Sequence, residues 1–229
     1  MNKIVFDEKD FEKFKNLKYI KIKAVLKRFF DIVFSLFAIV FFSPLFIGIM
    51  IWIKIKSPNN PYGKIFFIQE RLGLDGRKFQ VFKFRTMVLD AENKLKEMLE
   101  NDAKINSYYL EYRKLKNDPR IIKGVGTFLR KTSLDELPQF FNVLFGEMSV
   151  VGPRPYIEEE FYKHDCKCLD IILSVKPGVT GLWQIGDRSE TTFDKRVESD
   201  VGYILNQSFF QDIKIIFQTI LVVVFKKGA

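Results

Sequence analysis

From Ile32 to Ile53 the chain reads IVFSLFAIVFFSPLFIGIMIWI, without one charged side chain. That is about 22 residues, or ~33 Å as a straight helix, enough to cross a hydrocarbon core of ~30 Å. Two features oppose a straight crossing. Ser43-Pro44 falls at the centre, and an interior proline breaks or kinks a helix. The flanks are basic on both sides, with Lys21, Lys23, Lys27 and Arg28 before the stretch and Lys54 and Lys56 after it. The tendency of basic residues to stay in the cytoplasm then places both ends on that side. Each half, about 12 residues, reaches only ~18 Å and cannot cross alone. Residues 27–56 are therefore read as a re-entrant helix-break-helix that enters and leaves one leaflet, in preference to a spanning helix or a buried core helix.

The remaining composition fits a membrane surface. Among 229 residues, 37 Lys+Arg against 28 Asp+Glu give a net charge of +9, which favours anionic partners. With 25 Phe, several in pairs, the basicity suits lipid headgroups better than a nucleic-acid groove. The single His164 rules out a His-rich zinc site, and His164-x-Cys166-x-Cys168 matches no common metal spacing. The two cysteines are too close for an ordinary staple, and a reducing compartment is the simpler reading. The N-terminus has no cleavable-signal pattern.

Residues 1–26 read as a polar lead-in or short amphipathic helix. KIFFIQE and KFQVFKF, separated by Gly73 and Asp75-Gly76, read as a β-hairpin. Leu89 to Leu115 is a charged helical stretch that Asn117-Asp118-Pro119 stops. Residues 121–152 read as short helices joined by tight turns, and Pro177-Gly178 with Gly181 as a loop. SFFQDIKIIFQTILVVVFKK at the C-terminus suits a helix lying in the membrane interface. Residues 57–229 form one catalytic domain on this reading. The fold class is α+β, mostly helical with a small β-hairpin, a re-entrant membrane helix and interfacial amphipathic helices.

Asp135 and Glu136 stand side by side among cations: Arg120, Lys123, Arg130 and Lys131 before them, Arg154 after. Ser133-x-x-Glu136 is a capping-box pattern, and Pro138 suits a first helical turn. A cap explains Glu136 but not Asp135. Two adjacent carboxylates resist double ionisation unless a cation joins them. Mg²⁺ held by one or two carboxylates plus phosphate oxygens would serve. An Asp can also attack phosphorus directly, while arginines grip the non-bridging oxygens. Spacing alone leaves the structural and chemical readings both open.

KFRTM (Lys83–Met87), NDPRI (Asn117–Ile121), RKTSLDELPQ (Arg130–Gln139), NVLFGEMSVVGPRP (Asn142–Pro155) and KPGVTGLWQ (Lys176–Gln184) occur in this order. They resemble the bacterial sugar transferase family, the monotopic phosphoglycosyl transferases that start surface glycan synthesis, from about Lys27 to the C-terminus. The resemblance implies transfer of a sugar 1-phosphate from a UDP-sugar to polyprenol (undecaprenyl) phosphate, with release of UMP. It makes Asp135 the nucleophile and Glu136 its partner on Mg²⁺. It places Arg130 and Arg154 at substrate phosphate. It likens Ser43-Pro44 to the break in the family's re-entrant helix and Lys27-Arg28 with Asp31 to its approach. Asp200 ahead of Tyr203 resembles a late acid-aromatic pair.

One departure lies after the Trp-Gln segment, where related sequences often carry Gly-Arg-Asn and this one has Asp187-Arg188-Ser189. Arg188 is either a phosphate ligand or a solvated loop charge. Lys83 is either a phosphate ligand or a solvated strand end. The insert from Glu92 to Lys116 and the terminal Lys226-Lys227-Gly228-Ala229 resemble the hexose 1-phosphate branch, which favours UDP-galactose or UDP-glucose. Longer relatives carry additional membrane helices and a further domain, so this chain is expected to be a minimal catalytic form at the cytoplasmic face of the inner membrane. A homodimer is left open, and no nucleic-acid partner is expected. The competing classes are a glycosyltransferase that releases UDP and an inactive membrane adaptor of a glycan assembly complex.

Overall fold

The computed structural model describes residues 21–56, 64–112, 115, 117–162, 168–186 and 192–225. Arg188, His164, Cys166 and the terminal 226–229 lie outside them, as does the lead-in up to residue 20. The chain opens with α1 (Lys21–Lys56), a 36-residue helix. It begins within the segment expected as a lead-in. Among the described residues it is the one helix long and apolar enough to cross a membrane.

The expected break at Ser43-Pro44 does not occur, because α1 continues through it. Proline removes the N–H that would bond the carbonyl of Val40, four residues back. The Ser43 hydroxyl donates to that same carbonyl at 2.8 Å. One side chain thus replaces the missing backbone donor, and the helix continues where the proline alone predicted two halves.

Both ends of α1 are tied to the rest of the protein. Near its start, Lys27 pairs with Asp212 at 2.6 Å, and Arg28 donates to the carbonyls of Val143 and Leu144. Asp31 is buried and accepts from the Ser149 hydroxyl and the Val150 N–H. Toward its end, Phe46 packs edge-on against Phe84, and Trp52 lies 5.4 Å from Phe128. Between them the outward side of α1 exposes Leu36, Phe37, Val40 and Phe41.

The hairpin forms as read: β1 (Phe66–Leu72) pairs antiparallel with β2 (Lys78–Phe84), Phe66 opposite Phe84. The turn between them holds Asp75 and Gly76 at positive φ. The charged stretch becomes two helices, α2 (Ala91–Asn101) and α3 (Ala103–Tyr112), because Asp102 leaves helical geometry and caps α3 through its carboxylate. Then follow α4 (Val125–Thr132), a 3-10 turn at Leu134–Glu136, and α5 (Gln139–Phe145).

A second sheet was not foreseen. The three-residue strands β3 (Ser149–Val151) and β4 (Gly178–Thr180) pair in parallel, joined through α6 (Glu158–Tyr162) and α7 (Leu169–Leu173). Their backbones meet so closely that a Cβ on Gly178 would stand 2.1 Å from the Gly152 nitrogen. Glycine is required there because nothing larger fits, and this contact fixes where Pro153-Arg154-Pro155 leaves the sheet. Cys168 is buried beside α7.

The chain ends with α8 (Phe193–Leu205) and α9 (Phe209–Phe225). The latter buries Asp212 and Ile215 and exposes Phe210, Ile213, Phe217, Ile220 and Val224. These exposed positions recur every three or four residues, so one whole face of α9 is apolar and uncovered.

Candidate active site

The 3-10 turn carrying Asp135 follows directly from how α4 ends. Ser133 adopts the left-handed conformation at φ 56°, and its N–H closes the helix on the carbonyls of Leu129 and Arg130. The capping box read from Ser133 and Glu136 is not formed, because the Ser133 side chain makes no cap bond in this geometry. The reversal instead turns Asp135 and Glu136 back beside the last turn of α4, where Arg130 sits.

β2 supplies the opposing cation. Lys83 Nζ lies 2.8 Å from Glu136 Oε1, which settles Lys83 as a partner of the acidic pair rather than a solvated strand end. Asn142 braces the join. It accepts from the Phe82 N–H and donates to the Gln80 carbonyl and to Glu147, clamping α5 to β2 one residue from Lys83. Burial pushes the Asp135 carboxyl up to about 6, the neighbouring Glu136 adds to this, and Lys83 and Arg130 pull it back. Arg130 keeps a buried Nη1 with no hydrogen-bond partner among the described residues. An unsatisfied buried guanidinium N–H beside a carboxylate pair is a donor in want of an anion.

The expected cations do not all gather here. Arg120 is committed to Asp118, with contacts of 2.6 and 2.8 Å. Lys123 and Lys131 are exposed. Ser43 bonds within α1 and has no part in the cluster.

A second group forms around Arg154. Asp200, fully buried on α8, accepts from the Arg154 backbone N–H at 3.0 Å and from the Tyr156 hydroxyl at 2.7 Å. It is therefore a positioning residue for the Pro-Arg-Pro segment. The Arg154 guanidinium stacks 5.3 Å from the Trp183 ring, and Arg196 lies 5.2 Å from the same ring. Arg71 of β1 donates to the Pro155 carbonyl and stands 3.7 Å from Glu160. Sequence reasoning missed Arg71 and Arg196. Nothing local marks Arg71, but Arg196, Asp200 and Tyr203 recur at helical spacing, a pattern that puts three polar groups on one buried face of α8.

Burial pushes the Asp200 carboxyl up to about 7, above its ordinary 3.8, although the two hydrogen bonds and Arg154 pull it down. The folded protein therefore holds a proton that the unfolded chain releases near pH 4. Stability attached to this group is full below about pH 4 and is lost as pH rises to about 7. Asp200→Asn keeps an oxygen that accepts both bonds and removes the ionisation. Its melting temperature relative to wild type is expected to climb between pH 4 and 7 and level off above. A pH-independent difference in thermal melts would contradict this.

Residues 22–226 match the family model for bacterial sugar transferases. An undecaprenyl-phosphate galactose phosphotransferase of Salmonella typhimurium is 45% identical over 206 residues, covering 89% of this chain and 41% of the relative. A UDP-glucose:undecaprenyl-phosphate glucose-1-phosphate transferase of Klebsiella pneumoniae is 43% identical, covering 87% and 40% respectively. The exopolysaccharide production protein ExoY of Rhizobium meliloti is 40% identical over 208 residues, covering 91% of this chain and 89% of its own. The chain thus spans about two fifths of the first two relatives and most of the third. With a match over nearly its whole length, the chain belongs to the bacterial sugar transferase family.

Proposed function

We propose that this protein transfers a sugar 1-phosphate, galactose or glucose 1-phosphate, from a UDP-sugar to undecaprenyl phosphate and releases UMP. The observation that carries the reading is Asp135 held beside the Lys83–Glu136 pair, with the unsatisfied Arg130 donor next to it. An Asp135 oxygen attacks the sugar-linked phosphorus, and the bond from that phosphorus to the bridging oxygen breaks. The electron pair leaves with UMP. An oxygen of the lipid phosphate then attacks the same phosphorus, and Asp135 departs as a free carboxylate. One displacement becomes two, with a covalent phosphosugar between them. Lys83 and Arg130 hold the non-bridging oxygens and favour the ionised form of Asp135. Asp135 and Glu136 offer hard oxygen donors of the kind Mg²⁺ takes together with substrate phosphate, and the ion would supply positive charge against the leaving phosphate.

The membrane arrangement follows from the ties on α1. Its first turns bond Asp212, Val143 and Ser149, and its later turns pack on Phe84 and Phe128. A helix fastened to one domain at both ends cannot deliver an end across the bilayer. This supports a monotopic seat in which the unbroken α1 stays with its domain on one side of the bilayer, with both basic flanks in the cytoplasm. The exposed apolar middle of α1 and the apolar face of α9 then enter the lipid together, which brings Asp135 to the depth of a lipid phosphate. Arg188 remains a candidate phosphate ligand on the resemblance alone.

The test is nucleotide release in lipid particles with Mg²⁺, undecaprenyl phosphate and a panel of UDP-sugars. UMP release with UDP-galactose or UDP-glucose is expected, and chelation of the metal should stop it. UDP release would replace the reading with plain glycosyl transfer. No nucleotide release from any donor would leave the adaptor reading in its place.

A further inference from the structure

We propose that Arg28 and Lys176, brought together over Gly146, bind the headgroup phosphate of an anionic phospholipid at a site apart from the catalytic centre. How α5 ends sets the place. Gly146 follows the last residue of that helix at φ 87° and carries no side chain. A Cβ there would lie 3.6 Å from Arg28 Nη2 and 3.8 Å from Lys176 Nζ. Two cations from distant parts of the chain thus border one notch, near enough for a single phosphate to meet both. Arg28 donates to the Val143 and Leu144 carbonyls, which fixes the guanidinium and leaves further N–H donors on it.

The nearby acids are bonded elsewhere. Asp31 acts on Lys176, but it accepts from Ser149 and Val150. Glu147 accepts from Asn142, and Asp212 pairs with Lys27. Burial lowers the pKa of the half-buried Lys176, Arg28 lowers it further, and Asp31 pulls it back. Two like charges held together favour an anion beside them.

The surroundings suit a lipid rather than a free anion. Phe145, just before Gly146, is 67% exposed, and Leu26 and Phe29 beside Arg28 are exposed too. Uncovered apolar side chains next to a cation pair match the boundary between headgroup and acyl chain. This depth rests on the membrane seat proposed above. The Lys27–Asp212 pair, one residue from Arg28, joins the two helices that enter the lipid. Asp135 lies before the start of α5 and the notch lies past its end, so the length of that helix, ~10 Å, separates them. A phospholipid in the notch leaves the acceptor's place free. It holds the far end of α5 at the headgroups and so sets the depth of the Asp135 turn.

Native mass spectrometry of the full-length protein in mild detergent reads the site directly. The protein is titrated with dioleoyl phosphatidylglycerol, dioleoyl phosphatidylcholine, undecaprenyl phosphate and inorganic phosphate. One phosphatidylglycerol is expected to be retained in preference to phosphatidylcholine and to stay when undecaprenyl phosphate is added. Lys176→Gln should weaken that retention by about fivefold, and Lys176→Arg should keep it. Lys94→Gln, which removes an exposed charge on α2, should change nothing. Thermal melts check the folding of each variant, and the wild-type lipid preference remains a test if one melts early. Equal retention in folded Lys176→Gln, displacement by undecaprenyl phosphate, or inorganic phosphate binding as tightly as phosphatidylglycerol would overturn the inference. Membrane extraction separates it from the seat. Protein that needs detergent for release but shows no phosphatidylglycerol preference refutes the headgroup site alone. Protein that alkaline carbonate washes from membranes refutes the seat as well.

Discussion

On the proposed transfer, Asp135→Asn is expected to lower sugar-phosphate transfer by about a thousandfold or more, the order that follows when a covalent nucleophile is removed. Asparagine keeps the size and shape of the side chain but has no carboxylate to form the bond to phosphorus. The variant should fold as well as wild type. The Leu134–Glu136 turn is closed by backbone bonds, Glu136 to Ser133 and Leu137 to Leu134, and the left-handed Ser133 that creates it is unaffected. Removing the charge also relieves the burial and the Glu136 repulsion that push the Asp135 carboxyl up to about 6. Transfer rates read beside thermal melts separate lost chemistry from lost structure. Transfer within tenfold of wild type would remove Asp135 from the nucleophile role.

Lys83→Met is the second large effect, with transfer expected to fall by about a hundredfold or more. The methionine fills much of the same volume on β2, so the strand and its Asn142 clamp remain. What is lost is the cation 2.8 Å from Glu136. The two carboxylates then face each other with less compensation, and Asp135 moves further from its ordinary range, because Lys83 is the larger of the two charges pulling it down. Less of the nucleophile is ionised near neutrality. The acid limb of the rate profile should therefore move to higher pH, and raising the pH should restore part of the activity. A loss that is the same at every pH would assign Lys83 to phosphate binding alone.

The centre of this site is legible in the sequence because it is local. Arg130, Asp135 and Glu136 lie within one helix end and the turn after it, and the order of the motifs isolates them. The hairpin is legible for a similar reason, since two alternating runs flank an Asp-Gly turn. Lys83 joins Glu136 across 53 positions, a contact that only the fold reveals. Strands of three residues are too short for any periodic signal, so β3 and β4 pass as loop. Arg71 and Arg196 look like ordinary solvated charges until the parallel sheet and α8 bury them. Pro44 misleads in the other direction. Its rule is sound, but the neighbouring Ser43 hydroxyl supplies the bond that the rule counts as missing. The capping-box pattern at Ser133 fails because the chain needs that residue left-handed to end α4.

The central claim is a phosphosugar carried on Asp135, and a half-reaction tests it most directly. Protein is mixed with Mg²⁺ and UDP-galactose or UDP-glucose, with no lipid acceptor present, and both free nucleotide and intact protein mass are measured. About one equivalent of UMP per protein is expected, with a hexose-phosphate adduct that maps to Asp135 and disappears when undecaprenyl phosphate is added. UMP that appears only after the lipid is supplied, with no adduct at any time, would mean a single direct displacement and contradict the account.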